Sequence, residues 1–287
     1  MKTIEIDQPA SRAAMYLGAL LSSRKRPGAI EALPEVIYVR PQVVLESAHI
    51  AAYAKVCGFD EAHGVPLTYP QMLTFPLVMA FFCSDDCPWP ALGTVHLANS
   101  IEQRQALHPG DALRVEVRTG ALIAHERGQI FTLDTTITRA GEVVWEASQM
   151  ALRLGVNNPA GPAFASELKA DRPLSHQADF SAPGDIGRRY GRVSGDLNPI
   201  HLSALSAKLF GFRRAIAHGM WTKARALAAL MPRAAVAQAK VAVEFKTPLY
   251  LPARASLWTA RQAQSAWFEV RNARGDRPHL RGHLSYG

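Results

Sequence analysis

The chain has 287 residues, 48% of them hydrophobic and 20% charged, enough apolar surface for one large core or two ordinary ones. It holds no apolar run of the ~18 residues that cross a membrane as a helix. Its three cysteines, Cys57, Cys83 and Cys87, include no CxxC pair, which argues against a disulfide framework or a zinc ribbon and fits reduced thiols in a cytoplasmic protein. A net charge of +8 either attracts an anionic partner or only aids solubility, and since the basic residues are scattered without interleaved stacking aromatics, nucleic acid is not the expected partner.

In 10–21, Ala14, Leu17, Leu20 and Leu21 fall at helical spacing and predict a helix packed on the body. Lys25 and Arg26, just after it, read as a solvated edge. Glu5 and Asp7 argue against a targeting presequence, as does the lack of a small-residue cleavage site. An extended segment from Val36, a helix over 46–56 and a Pro-interrupted apolar run over 69–82 come next. Strand patterns at 94–105, 112–119, 129–138 and 143–154 are separated by Pro109-Gly110-Asp111, Glu126-Arg127-Gly128 and Ala140-Gly141, in hairpin order. The Pro-, Gly-, Ala- and Asn-rich stretch 155–173 reads as a linker.

The same order recurs beyond it. A helix is predicted over 185–193, and Met220, Ala224, Leu227, Ala228 and Met231 then form a 3.6-period stripe. Strands at 240–247, 255–263, 266–272 and 278–285 follow, with Val241, Val243 and Phe245 alternating against Glu244 and Lys246. Helices followed by antiparallel strands are α+β, here in two copies, 1–154 and 174–287. The letters carry the repeat: Tyr53 to Gly58 (YAKVCG) aligns with Tyr190 to Gly195 (YGRVSG) at an offset of 190 − 53 = 137, and Pro109 with Pro252 at 252 − 109 = 143.

Chemistry is expected in Tyr190 to Met220, which puts Asp196, Asn198 and His201 within six positions of loop-like sequence. Pro199 biases Asn198 away from helical geometry, so the segment forms a rigid turn able to aim a carboxylate and an imidazole at one water, as general acid–base work requires. At the first offset Asp196 faces Phe59 and His201 faces Gly64, so the first copy lacks both groups; at the second, Gly219 faces Pro76, which has no N–H to give. Asn198 is a candidate substrate contact, although its side chain is expected to hold the loop through bonds to backbone more than to touch substrate. His218 reads as a buried imidazole fixing the loop, since no H-E-x-x-H spacing makes it a metal ligand. The Gly219 N–H, before a helix, is the candidate oxyanion donor.

SGDLNPIH (194–201) resembles the S-G-D-x-N-P-x-H signature of the MaoC-like dehydratases, which include the (R)-specific enoyl-CoA hydratases, and GFRRAIAHGM (211–220) resembles their second conserved run. Chain length and PLTYPQMLTFP (66–76) look like the two-copy members, including mycobacterial-type 3-hydroxyacyl-thioester dehydratases. The resemblance implies a double hotdog fold and hydration of trans-2-enoyl thioesters to (3R)-3-hydroxyacyl thioesters and the reverse, with Asp196, His201 and Gly219 catalytic. It implies no metal or redox cofactor, coenzyme A or an acyl carrier protein being part of the substrate. A degenerate first copy would hold the acyl chain, for which Phe75, Met79 and Phe82 at i, i+4 and i+7 are candidates, with plain core as the alternative. A hotdog thioesterase and a non-catalytic acyl-thioester-binding subunit are the competing functions, and the oligomeric state is open, a homodimer included.

Overall fold

The computed structural model describes residues 2–25, 28–166 and 168–287. In chain order it has β1 (Lys2–Glu5), α1 (Arg12–Leu21), β2 (Val36–Val44), α2 (Ser47–Cys57), α3 (Gln71–Cys83), β3 (Thr94–Gln103), β4 (Ala112–His125), β5 (Gly128–Arg139) and β6 (Glu142–Leu154). After the linker come β7 (Ser175–Ala182), α4 (Ile186–Ser194), α5 (Pro199–Leu202), α6 (Ala204–Lys208), α7 (Gly219–Leu230), β8 (Ala239–Phe245), β9 (Ala253–Gln262), β10 (Ser265–Asn272) and β11 (Pro278–Tyr286). Two compact units form, and they are not consecutive in sequence: Met1–Val44, Leu73–Ser100 and Asp111–Glu167 make one, Leu45–Met72, Ile101–Gly110 and Leu168–Gly287 the other. The helix of the first copy, α2, thus belongs to the unit built mainly from the second. No helix among the described residues is long and apolar enough to cross a membrane.

In the first unit the strands lie in the order β1-β2-β4-β5-β6-β3, with β1 parallel to β2 and antiparallel pairing from β2 through β6. Its core is aromatic: on α3, Phe81 meets Tyr38 and Phe131, and Trp89 stacks on Phe131 with centroids 5.4 Å apart. β4 runs on past the predicted end at Thr119, through an irregularity between Thr119 and Leu122 that keeps the pairing with β5. The linker is partly tied down here, Ala124 exchanging backbone bonds with Pro162 and Phe164.

Two expectations for this unit need correction. The helix α1 forms, but Leu17, Leu20 and Leu21 face out at 58%, 58% and 49% exposure, while Met15 and Ala19 are buried. Close approach to α3 is the reason: a Cβ on Gly18 would come within 2.7 Å of Cys83 Sγ, so the face of α1 with Met15, Gly18 and Ala19 meets its neighbour. Lys25 is not a solvated edge either. Its Nζ donates to the Ser84, Cys87 and Phe82 carbonyls at 2.5, 2.7 and 3.4 Å, capping the carboxyl end of α3 with a cation where the helix leaves acceptors open. Arg26 lies outside the described residues.

In the second unit an antiparallel sheet in the order β8-β11-β10-β9-β7 packs against α7. Met220, Trp221, Ala224, Leu227 and Leu230 of α7 are all buried, as a helix enclosed by its sheet requires. β7 has no counterpart among the predicted strands; His176, Gln177 and Asp179 mask an alternation in which only Phe180 and Ala182 are buried. Glu244, assigned by alternation to the solvent side, is 5% exposed and pairs with Lys246. α2 and α4 pack together, and the aligned tyrosines meet: Tyr53 and Tyr190 are buried with ring centroids 6.1 Å apart. Both helices end on a left-handed glycine, Gly58 and Gly195, each at φ 82° with its N–H on the carbonyl four residues back.

Candidate active site

The buried face of α4, Ile186, Gly187, Tyr190, Gly191 and Ser194, is the floor on which the 196–201 loop lies. Gly195 reverses the chain. The Asp196 N–H then donates to Ser194 Oγ at 3.2 Å, and Asp196 Oδ1 accepts the Asn198 N–H at 3.1 Å. Asn198 caps α5, its Oδ1 accepting the Ile200 N–H at 3.3 Å with Pro199 at the first helical position. Its side chain thus does the loop-holding that the sequence predicts. This chain of local bonds brings His201 around to Asp196.

His201 is buried, and its Nδ1 lies 2.8 Å from the Ile216 carbonyl. A carbonyl only accepts, so Nδ1 carries the hydrogen and Nε2 keeps a lone pair. Burial lowers the pKa of His201 against an upward pull from Asp196, leaving a neutral ring able to accept a proton. His218 stacks on it, with centroids 3.7 Å apart at 26°, and Tyr190 lies 4.8 Å beyond. His218 Nε2 donates to the Asp196 backbone carbonyl at 3.0 Å and sits 3.6 Å from Asp196 Oδ2. The Asp196 side chain is 33% exposed, so it forms the open side of the cluster. Asp196, His201 and His218 each offer a ligand atom within 4.8 Å of the others, a spacing that would also suit a metal. Gly219 is the first residue of α7, where the helix provides no carbonyl for its N–H.

A family profile described as MaoC like domain matches residues 166–281. The 3-hydroxyacyl-thioester dehydratase X of Mycobacterium tuberculosis is 36% identical over 250 residues, 86% of this chain and 88% of that protein. The chain belongs to the MaoC-like dehydratase family. The crystal structure of that relative superimposes with a TM-score of 0.73 at 34% identity, over 86% of this chain and 98% of that one. A second Mycobacterium tuberculosis protein, described as having a double hotdog fold, matches with a TM-score of 0.55 at 12% identity over 92% and 97% of the two chains. The α+β fold of this MaoC-like chain is the double hotdog.

Sequence reasoning missed two site residues of this MaoC-like chain, Gly187 and Gly191. A Cβ on Gly187 would come 1.9 Å from the His201 carbonyl oxygen, and one on Gly191 2.6 Å from that of Asp196. Their four-residue spacing on α4 was the available signal, since the first copy has Ile50 and Ala54 at the same offset. Gly219 is likewise a point of close approach, its Cβ position lying 2.7 Å from Phe245 Cε1. Phe75, Met79 and Phe82 lie elsewhere, in the first unit. Met79 is buried with Met15 and Ala19, Phe75 packs against that cluster, and Phe82 meets Phe81 and Phe131.

The buried imidazoles make stability depend on pH. Burial drives His218 from 6.5 down to about 3, so between these values the unfolded chain binds a proton that the folded one refuses. The contribution is therefore complete above about 6.5 and is lost as pH falls toward 3, by about 1.4 kcal/mol per pH unit. Urea unfolding at pH 7, 6, 5 and 4 should show this slope, and His218→Phe should flatten it. An unchanged slope in that variant would assign the acid lability to other groups.

Proposed function

We propose that the protein interconverts trans-2-enoyl thioesters and (3R)-3-hydroxyacyl thioesters, carried on coenzyme A or an acyl carrier protein. One observation carries the reading: a neutral imidazole, held through Nδ1 on a backbone carbonyl, stands within 4.8 Å of the Asp196 carboxylate on a loop fixed by its own side chains. In hydration, Asp196 orients a water and His201 Nε2 takes its proton as the oxygen bonds to C3. C2 then receives a proton from the pair, so water adds across the double bond and the protein ends unchanged. The Gly219 N–H at the start of α7 supports the negative charge that gathers on the thioester oxygen. Asp196, His201 and Gly219 are the catalytic groups in this scheme.

No metal or redox cofactor is needed. The His218 nitrogen nearest the Asp196 carboxylate already bears a hydrogen bound to a carbonyl, which favours the acid–base reading over a metal one. The first copy is degenerate in this scheme. Its nearby Asp60 and His63 bond each other at 2.8 Å and close a capping box on a single turn, a structural use of the same residue types. The three free cysteines fit a reducing, cytoplasmic setting.

The test follows the conjugated-thioester absorbance of an enoyl-CoA while titrating free thiol, with and without chelator. Loss of absorbance without thiol release, unaffected by chelator, is expected; thiol release would make the protein a thioesterase, and binding without turnover a carrier subunit. Chain-length selection by the first copy is tested with Met79→Ala, expected to cost about 2–5 kcal/mol of stability in denaturant unfolding as a core truncation. A shift in the kcat/KM ratio of long over short substrates supports a pocket there, and destabilisation with an unshifted ratio leaves the residue to the core alone.

A further inference from the structure

We infer that the exposed face of α6 and the turn after it docks an acidic acyl carrier protein, an inference that rests on the thioester reading above. Leu205, Leu209 and Phe210 present 77%, 80% and 38% of their surface to solvent, three large apolar side chains within six residues. Such clustering on a surface marks an interaction site. Around them stand exposed Lys208, Arg213 and Arg214. The two arginines are gathered over one ring, 4.4 and 5.9 Å from the centroid of Tyr250. From Leu197 to Val243 the sequence has seven Lys or Arg and not one Asp or Glu, so the stretch itself supplies nothing to neutralise the patch.

The patch is fastened to the catalytic loop. Ser206 Oγ donates to the Pro199 carbonyl at 2.7 Å, and the Ile216 N–H donates to the Ile200 carbonyl at 3.0 Å, on either side of α6. Leu205 follows His201 by four residues. A partner seated here delivers its thioester beside the dyad.

The chemistry of the patch selects among occupants. The nucleotide end of coenzyme A would use the cations but has no need of three exposed apolar side chains. A second copy joined about a two-fold axis would set Lys208, Arg213 and Arg214 against their own counterparts, like charge facing like. An acidic helical protein with an apolar ridge satisfies both features at once.

Steady-state hydration of one enoyl chain on pantetheine, on coenzyme A and on a bacterial acyl carrier protein distinguishes these occupants. Arg213→Glu with Arg214→Glu, and separately Leu205→Gln with Leu209→Gln, should raise KM for the carrier-protein substrate about tenfold with kcat unchanged, leaving the pantetheine and coenzyme A substrates as they were. In the wild-type protein, KM for the carrier-protein substrate alone should rise with ionic strength. A parallel rise for coenzyme A would make the arginines a nucleotide-phosphate site and overturn the proposal. So would a carrier-protein KM indifferent to salt and to both variants, or variants that change only the oligomeric mass. Failure of the wild-type protein to hydrate even the pantetheine substrate would instead sink the activity itself.

Discussion

Asp196→Asn and His201→Ala are each expected to leave a folded protein whose hydration of an enoyl thioester falls about 10²- to 10⁴-fold. Asparagine keeps the Oδ1 that orders the turn and accepts the Asn198 N–H, but it gives up the charge, so geometry and acid–base chemistry separate in that variant. His201 is held by its Nδ1 bond to Ile216 and by stacking on His218, and its replacement removes the neutral imidazole from beside Asp196. The double variant should be little worse than either single one, because groups that act as a unit do not lose activity additively. Near wild-type kcat in either single variant would place the chemistry elsewhere.

The second large effect is expected at a residue with no chemistry of its own. In Gly187→Ala the new Cβ would stand 1.9 Å from the His201 backbone oxygen, far inside contact distance, so the 196–201 loop must move off α4 by an ångström or more. A displacement of that size is worth about 10²-fold in rate when it separates reacting groups. Gly191→Ala, at 2.6 Å from the Asp196 oxygen, should fall between Gly187→Ala and Gly184→Ala, whose Cβ meets only Pro252 at 3.9 Å and which should behave as wild type. Kinetics alongside a thermal melt separate misplacement from unfolding. A folded Gly187→Ala protein with unchanged kcat would show that the spacing of loop and helix does not govern the reaction.

Local signals made much of the fold readable. Eight of the strands follow one another in hairpin order with turn residues between them, and the two copies betray each other through aligned letters such as Tyr53 and Tyr190. What escaped depends on neighbours distant in sequence. The buried side of α1 carries Met15 and Ala19 rather than its leucines, because Gly18 must admit Cys83, and the leucine stripe does not report that. Lys25 looks like any surface lysine until the end of α3 arrives beneath it. At the site, Asp196, Asn198 and His201 were legible because their spacing is itself the geometry of a capped turn. Stacking of His218 on His201, 218 − 201 = 17 residues on, and the closeness of Gly187 to His201, 201 − 187 = 14 residues on, come from packing between separate elements rather than from spacing within one turn.

The placement of α2 in the second unit sets a timetable for synthesis. Its partner α4 begins at Ile186, 186 − 57 = 129 residues after α2 ends at Cys57. At roughly 5–20 residues per second, a ribosome needs about 6–26 s to make that stretch. Throughout this interval Ile50, Tyr53 and Cys57 have no α4 to cover them. The nascent chain therefore carries the α4-facing side of this helix uncovered until its carboxyl-terminal half emerges, and chaperone capture during elongation should concentrate on residues 47–57.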